Sequence, residues 1–482
     1  MKKVILSALA LLLSAGAAMA EGYQVNSLSA KQLGMGHTGI AMELGAESMF
    51  FNPAGMAFMN KTLDLSGSFT AIMPTATATV QPDGKKYDTD CNAATPIGAH
   101  AAFSIYDNLK AGVSFYTPYG SSINWTDNWP GAVLNQNVNL KVFTVQPTVA
   151  WAITPKLSVG IGAMISWGSV DLNKGLVTAE TTDKVITAMK ALQQPGAEDL
   201  KEFGTTTPAS VNLTGTARVT VGFNVGAMYK VNEKLNFGAS FRSRMPMRVK
   251  AGDASVDCAP MLRKLLGDKL EMINNANFTA EMPCPWVLGL GVAYKPIDRL
   301  TLAFDARLTG WHTYKKLDIE FLDESLADYN QNIEKHYKNS WCYSLGAQYA
   351  VTDRFDARVG LMVDTSPVNK NFYNPETPGM TKVEPTVGLS FRPIPRLSID
   401  VAFMYVHGCG VEGASCEYPD LMGTAFRGKL ATTFMGMGLP ADQALNKANE
   451  TANKFGIPTS GKFTADYKLH AFIPSIGISY SF

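Results

Sequence analysis

The last twelve residues constrain the fold most. Phe472, Pro474, Ile476, Ile478, Tyr480 and Phe482 alternate strictly with Ile473, Ser475, Gly477, Ser479 and Ser481, a period of two that only an extended strand converts into two faces. The same pattern recurs upstream. Leu157, Val159, Ile161, Ala163, Ile165 and Trp167 alternate with Ser158, Gly160, Gly162, Met164 and Ser166; Leu300, Leu302, Phe304, Ala306 and Leu308 alternate with Thr301, Asp305, Arg307 and Thr309. Further two-faced runs begin at Leu235, Phe355 and Leu397, and their charged residues (Arg242, Asp356, Arg358, Asp364, Asp400) all fall on the second face. One face suits hydrocarbon and the other does not.

A soluble sandwich also alternates, so strand length and connections decide the class. The runs are roughly ten residues long, the span of a tilted transmembrane strand. Trp151, Trp167, Tyr229, Trp286, Tyr294, Trp341 and Tyr405 collect near their ends, as interfacial girdles do. Short turns at 106–108, 154–156, 232–234, 296–299, 352–354 and 393–396 alternate with longer connections at 74–97, 117–140, 169–215, 249–281, 311–340, 365–382 and 408–470. Six turns and seven loops join fourteen strands, with the short-turn side periplasmic and the loops extracellular. The expected fold is all-β, a 14-stranded antiparallel transmembrane barrel over residues 61–482.

Residues 1–20 read as an export signal: Lys2 and Lys3, an apolar run from Val4 to Leu13, and Ala18-Met19-Ala20 for cleavage. Removing two lysines takes the formal charge from +1 to −1, so no basic surplus points to nucleic acid. Residues 21–60 are apolar but not strand-like, which places them inside the lumen as an N-terminal hatch. Within them Asn52-Pro53-Ala54-Gly55 marks a sharp turn, a hinge or an anchor, because Pro53 fixes its backbone and lacks an N–H.

Among six cysteines, Cys409 and Cys416 are the most plausible bridge, with Cys258 and Cys284 a second possibility. No Cys-x-x-Cys occurs and the six histidines lack ligand spacing, so neither a metal nor another cofactor is expected. No Gly-x-Ser-x-Gly supports a hydrolase, and no enzyme activity is expected. Helical periodicity appears in the third loop at Val185, Met189 and Leu192, and in the fourth at Leu262, Leu265 and Leu266. These stripes either cap the barrel or form a groove. The 441–453 stretch of the seventh loop is also helix-like but mostly polar, and carries no expected site.

The lumen register places Met164, Met228, Met362 and Met404 where flexible thioethers can line an apolar pocket or simply fill space. Arg242, Arg244, Arg307 and Arg358 share that register and can hold an anionic head group, or pair with Asp305, Asp356, Asp364 and Asp400.

The chain closely resembles the FadL-type outer-membrane transporters of long-chain fatty acids and other hydrophobic compounds. The resemblance rests on Gly22-Tyr23-Gln24, Ser29-Ala30 with Leu33-Gly34, Phe51-Asn52-Pro53-Ala54-Gly55-Met56, Tyr116-Thr117-Pro118-Tyr119-Gly120 with Trp129, Asp305 with Thr309-Gly310-Trp311, Asp364-Thr365-Ser366-Pro367-Val368 and the terminal Phe482. It implies a hatch carrying the Asn52-Pro53-Ala54 motif, a chain start (Gly22, Tyr23) reaching an internal pocket, ligand capture at the third and fourth loops, and a lateral opening in the wall. The partners it implies are a hydrophobic small molecule, outer-membrane lipid and lipopolysaccharide, and the barrel-assembly machinery reading Phe482. A general diffusion porin, or a surface receptor or adhesin, would share the barrel. The long Cys-rich seventh loop departs from the family pattern.

Overall fold

In the computed structural model, residues 22–90, 93–126, 128–194, 196–260, 262 and 269–482 are described. Residues 1–20, read as an export signal, and Cys91, Leu265 and Leu266 lie outside them.

Fourteen strands build the wall: β1 Leu63–Thr70, β2 Ile97–Tyr106, β3 Leu109–Asn124, β4 Asn137–Ala152, β5 Leu157–Val177, β6 Ala209–Lys230, β7 Leu235–Arg242, β8 Val287–Ile297, β9 Leu300–Thr309, β10 Ser340–Thr352, β11 Phe355–Asp364, β12 Lys382–Ile394, β13 Leu397–Gly408 and β14 Ser460–Ser481. Each pairs antiparallel with its sequence neighbours, and β1 closes on β14 with Gly67 opposite Ile478. Closure leaves no unpaired edge, the condition for a sheet in hydrocarbon. At the seam the Leu63 and Phe482 backbones exchange N–H···O bonds, both 2.9 Å.

The alternation sorts as expected. Ile161, Phe304, Val359, Val401 and Ile478 are exposed on the outer wall, whereas Asp305, Arg358 and Asp400 are buried inside. A one-residue slip would turn every one of these charges into lipid, so the register is strongly specified. Phe115, Phe143 and Trp167 stack on three neighbouring outer strands, with centroids 6.1–6.3 Å apart, and Trp341 stacks on Tyr343 at 5.8 Å.

Several strands are longer than the ten-residue reading. β6 and β14 each run 22 residues, so the wall rises well above the bilayer and the loops are shorter than expected. The seventh loop shrinks most, because Val411–Pro419 continues the wall and pairs with β14. Its remainder folds as a helical hairpin, α5 Leu421–Gly436 and α6 Ala441–Lys454. The third loop holds α3 Ala179–Ala191 and the fourth α4 Lys269–Ile273, following two short hatch helices, α1 Ala30–Leu33 and α2 Ser48–Phe51. Neither Cys409 with Cys416 nor Cys258 with Cys284 forms a bridge: Cys284, Cys409 and Cys416 are thiols.

Candidate ligand pathway

Residues 22–59 are almost entirely buried within the wall, and the lumen face is built to hold their backbone. Asp305 Oδ2 accepts from the Gly39 and Ile40 N–H groups at 2.7 and 3.1 Å. Asn52 Nδ2 donates to the Ile40 carbonyl at 2.7 Å and the Ala227 carbonyl of β6 at 3.0 Å, while its Oδ1 accepts from Ala54 N–H at 3.1 Å. Gln146 and Asn224 both donate to the Met49 carbonyl, and Ser158 to that of Ala54. The close approach requires lumen glycines. A Cβ on Gly226 would lie 1.9 Å from Asn52 Oδ1, and one on Gly238 2.1 Å from the Ile40 carbonyl oxygen. This fit accounts for part of the glycine content that strand propensity alone would disfavour.

The start of this segment is tied to an irregularity in β3. The β3–β4 ladder shifts between Tyr116 and Tyr119, where Pro118 offers no N–H. Into that gap the chain start adds itself: Val25 N–H donates to the Pro118 carbonyl at 2.9 Å, Gly120 N–H to that of Tyr23 at 2.8 Å, and Gln24 bridges Tyr119. Tyr23 inserts edge-on against Trp311 at 4.8 Å, and its hydroxyl donates to the Pro283 carbonyl.

Above the hatch the inner surface turns apolar. Val138, Leu140 and Val142 of β4, Leu172 of β5, Leu213 of β6 and Phe278 line a narrow chamber whose free volume is only about 50 Å³. Glu376 and Thr377 form its polar end. Glu376 is paired with Lys335, and both side chains are buried, at 4% and 0% exposure. The Lys335 ammonium also lies 5.8 Å from the Tyr314 ring. Burial pushes the phenols of Tyr314, Tyr337 and Tyr373 above their ordinary range, so they act as neutral groups.

Outside this end lies a vestibule of about 650 Å³, bounded by Leu176, Ile333, Phe372, Tyr418 and Leu421, with Lys174 and Lys462 on its wall. Lys174 stands on the part of β5 above the bilayer and donates to Gln331 at 2.7 Å. Burial brings its ammonium down to about 8, partly offset by the Glu376 charge.

The residues singled out by sequence divide between several places. Gly22 sits under Trp311, where a Cβ would approach to 2.7 Å, and Tyr23 occupies the position just described. Met362 and Met404 line a narrow seam beside Asn26 and Ser27. Met164 and Met228 are buried, but neither lines the chamber; the methionines that do are Met247 and Met282. Arg242 stacks on Phe50 at 4.5 Å. Arg307 donates to Asn26 and Cys342 at 3.3 and 3.0 Å, and Arg358 pairs with Asp400 at 3.3 Å and Asp356 at 3.5 Å below the hatch.

Arg244 corrects the lumen-facing expectation. The wall breaks at Ser243-Arg244 before resuming at Met245, which takes the lumen position, and Arg244 points outward to Glu281 at 2.9 Å. In the loops, Val185, Met189 and Leu262 are buried while Leu192 is exposed. The α3 helix meets the seventh-loop hairpin, with Thr181 Oγ1 donating to Asp420 at 2.6 Å. The seventh loop therefore borders the vestibule, through Tyr418 and Pro419 of its wall segment and Leu421 of α5, while the 441–453 stretch is absent from the lining.

Sequence reasoning missed the chamber and its ion pair, although a signal was present. In β4 the lipid-facing apolar residues are Phe143, Val145, Val149 and Trp151, whereas Val138, Leu140 and Val142 carry the opposite parity. A strand whose apolar face changes side partway has left the bilayer and begun to line an interior. Nothing comparable marks Lys335 or Glu376, which lie in irregular loops.

A closed, outward-apolar barrel with a filled lumen and an apolar inner passage defines the class of plugged outer-membrane transporters. Residues 11–482 match the family described as outer membrane protein transport protein (OMPP1/FadL/TodX), and the chain belongs to it. It is 24% identical over 427 residues to outer membrane protein P1 of Haemophilus influenzae, covering 84% of this chain and 89% of that one. To the long-chain fatty acid transport protein of Escherichia coli O6:H1 it is 22% identical over 421 residues, covering 83% and 90%. Among solved structures it resembles a Pseudomonas aeruginosa FadL homologue (TM-score 0.71, 18% identity, 96% and 100% covered) and the Pseudomonas putida toluene transporter TodX (TM-score 0.64, 13% identity, 96% and 100% covered). The protein is thus an outer-membrane barrel of a family that transports hydrophobic compounds.

Proposed function

We propose that this protein admits long-chain fatty acids or similar amphipathic hydrophobic molecules passively: capture in the extracellular vestibule, transfer to the chamber above the hatch, then sideways release at β3 after the hatch start moves. The observation that carries the reading is the apolar chamber ending on a buried Lys335–Glu376 pair. An acyl chain would displace no hydrogen bond from Val138, Leu140 or Phe278, while an incoming carboxylate can replace Glu376 on the Lys335 ammonium. With about 50 Å³ free, against the roughly 300 Å³ or more of a typical ligand site, the passage is closed, and the ligand must part its walls. Met247 and Met282 are the side chains best suited to yield. The hatch start is the natural gate, because Val25 and Tyr23 occupy the irregular stretch of β3 that a departing ligand would cross.

Two measurements test this. Lys335→Met should weaken binding of a long-chain acid about tenfold, the loss of one charge-assisted contact, while leaving a neutral hydrocarbon of equal length unaffected; Glu376→Gln should strengthen acid binding. Equal responses by acid and hydrocarbon would remove the head-group role. A Gln24→Cys/Tyr119→Cys disulfide should preserve binding yet block uptake until reduced; uptake that ignores the bridge would exclude β3 as the exit.

A further inference from the structure

Outside the pathway, the upper outer wall between β6 and β8 carries a cluster of exposed positive charge. On β6, Val219, Val221 and Phe223 are exposed to lipid, and Arg218, immediately above them, is exposed as well. The next strand segment, Met245–Cys258, pairs Val249 with Ala217, so Arg248 and Arg218 take neighbouring positions across the ladder. Its other neighbour, Asn277–Cys284, sets Glu281 opposite Arg248. Glu281 uses one oxygen for Arg244 at 2.9 Å and the other for Arg248 at 2.7 Å, and these arginine side chains remain 43% and 57% exposed. Lys250 is exposed two residues further on. Three arginines and a lysine thus share this part of the wall with Glu281, which holds two of the guanidiniums, while the adjoining segment adds Lys316, Asp318 and Glu320, with Lys316 and Asp318 paired to each other at 2.8 Å.

The height of the patch identifies its surroundings. Phe223, Phe241, Trp286 and His312 form a row of rings with centroids 6.0–6.3 Å apart, the position of an aromatic girdle at a membrane boundary. The arginines lie on the loop side of that row, at the level of the outer-leaflet head groups. Guanidinium forks match phosphate bidentately, and juxtamembrane cations are attracted to anionic lipid surfaces.

We propose that Arg218, Arg244, Arg248 and Lys250 form a binding site for the phosphorylated glycolipid of the outer leaflet, clamping its sugar phosphates against the wall between β6 and β8. The site is distinct from the ligand pathway and does not depend on what the pathway carries.

The test is native mass spectrometry of the full-length protein in detergent with bisphosphorylated lipid A. Wild type should retain the glycolipid, and Arg218→Gln/Arg244→Gln/Arg248→Gln should lower its affinity at least about tenfold. Arg218→Gln alone, which touches no ion pair, should give a smaller loss in the same direction, and Glu281→Gln should bind at least as well as wild type. Lys85→Gln/Lys86→Gln, which removes two positive charges from the first loop, should change nothing. Heat-modifiable gel mobility reports whether each variant is folded. Equal retention of dephosphorylated lipid A, unchanged affinity in the folded triple variant, or displacement by millimolar inorganic phosphate would each overturn the site.

Discussion

At the scale of single residues, the barrel and the hatch are fitted to one another through atoms that neither shows in isolation. Gly226 is the tightest case. Replacing it with Val should overpack the Asn52 turn at a cost of about 1–3 kcal/mol, lowering the thermal unfolding temperature in detergent and exposing the hatch to protease. Asp305 acts through charge rather than space: it alone accepts from both Gly39 and Ile40. Asp305→Ala strands two buried N–H groups, each worth roughly 1–3 kcal/mol, and amide exchange at Gly39 and Ile40 should accelerate while the β9 strand amides stay protected. Exchange unchanged at those two amides would show that the carboxylate holds nothing. The sequence disclosed that Asp305 faces inward, because parity alone decides that. It could not disclose the partner, since hatch and strand share no repeating register. Arg244 shows the complementary failure: one irregular step at Ser243 reverses parity, and no residue type there announces it.

Among elements, the membrane-crossing strands were legible because lipid on one side and polar lumen on the other force a strict period of two. Their upper extensions were not, for once both outer and inner surroundings change, so does the rule. This is why the seventh loop was read as running from 408 to 470, whereas Val411–Pro419 and the start of β14 continue the wall. Its helical hairpin is held by Ala444, Ala448 and Ala452, which pack α6 closely on α5, and by Asp420. That carboxylate caps α5 through Gly423 N–H at 2.9 Å while accepting from Thr181 of α3. Asp420→Ala should therefore loosen cap and tether together, costing roughly 1–2 kcal/mol locally. Limited proteolysis within 421–459 should speed up, and ligand should associate faster with the vestibule the hairpin borders; association at the wild-type rate from a hairpin shown to be loosened would separate it from capture.

For the whole molecule, two nested structures share one bore, and only the outer one is self-sufficient. The wall closes through its own ladder from β1 to β14, and its backbone leans on the hatch at few points, such as Pro118 and Gly120 of β3, which bond Val25 and Tyr23. The hatch in contrast satisfies its carbonyls and N–H groups on lumen side chains such as Gln146, Ser158, Asn224 and Thr386. Removing residues 22–60 would hand those polar groups to water, which solvates them at little cost once the bore is open. A deletion variant retaining the export signal should still reach the outer membrane and show heat-modifiable mobility, since the wall is intact. In planar bilayers it should conduct ions steadily where the full-length protein stays near baseline, and hydrophobic ligand should lose its saturable binding, because the Tyr23 insertion against Trp311 is gone. Porin-like conductance from the full-length protein would contradict a filled lumen. A folded deletion variant that remained silent would mean that the upper wall, through the collapsed Val138–Phe278 chamber and the Lys335–Glu376 pair, seals the barrel without the hatch.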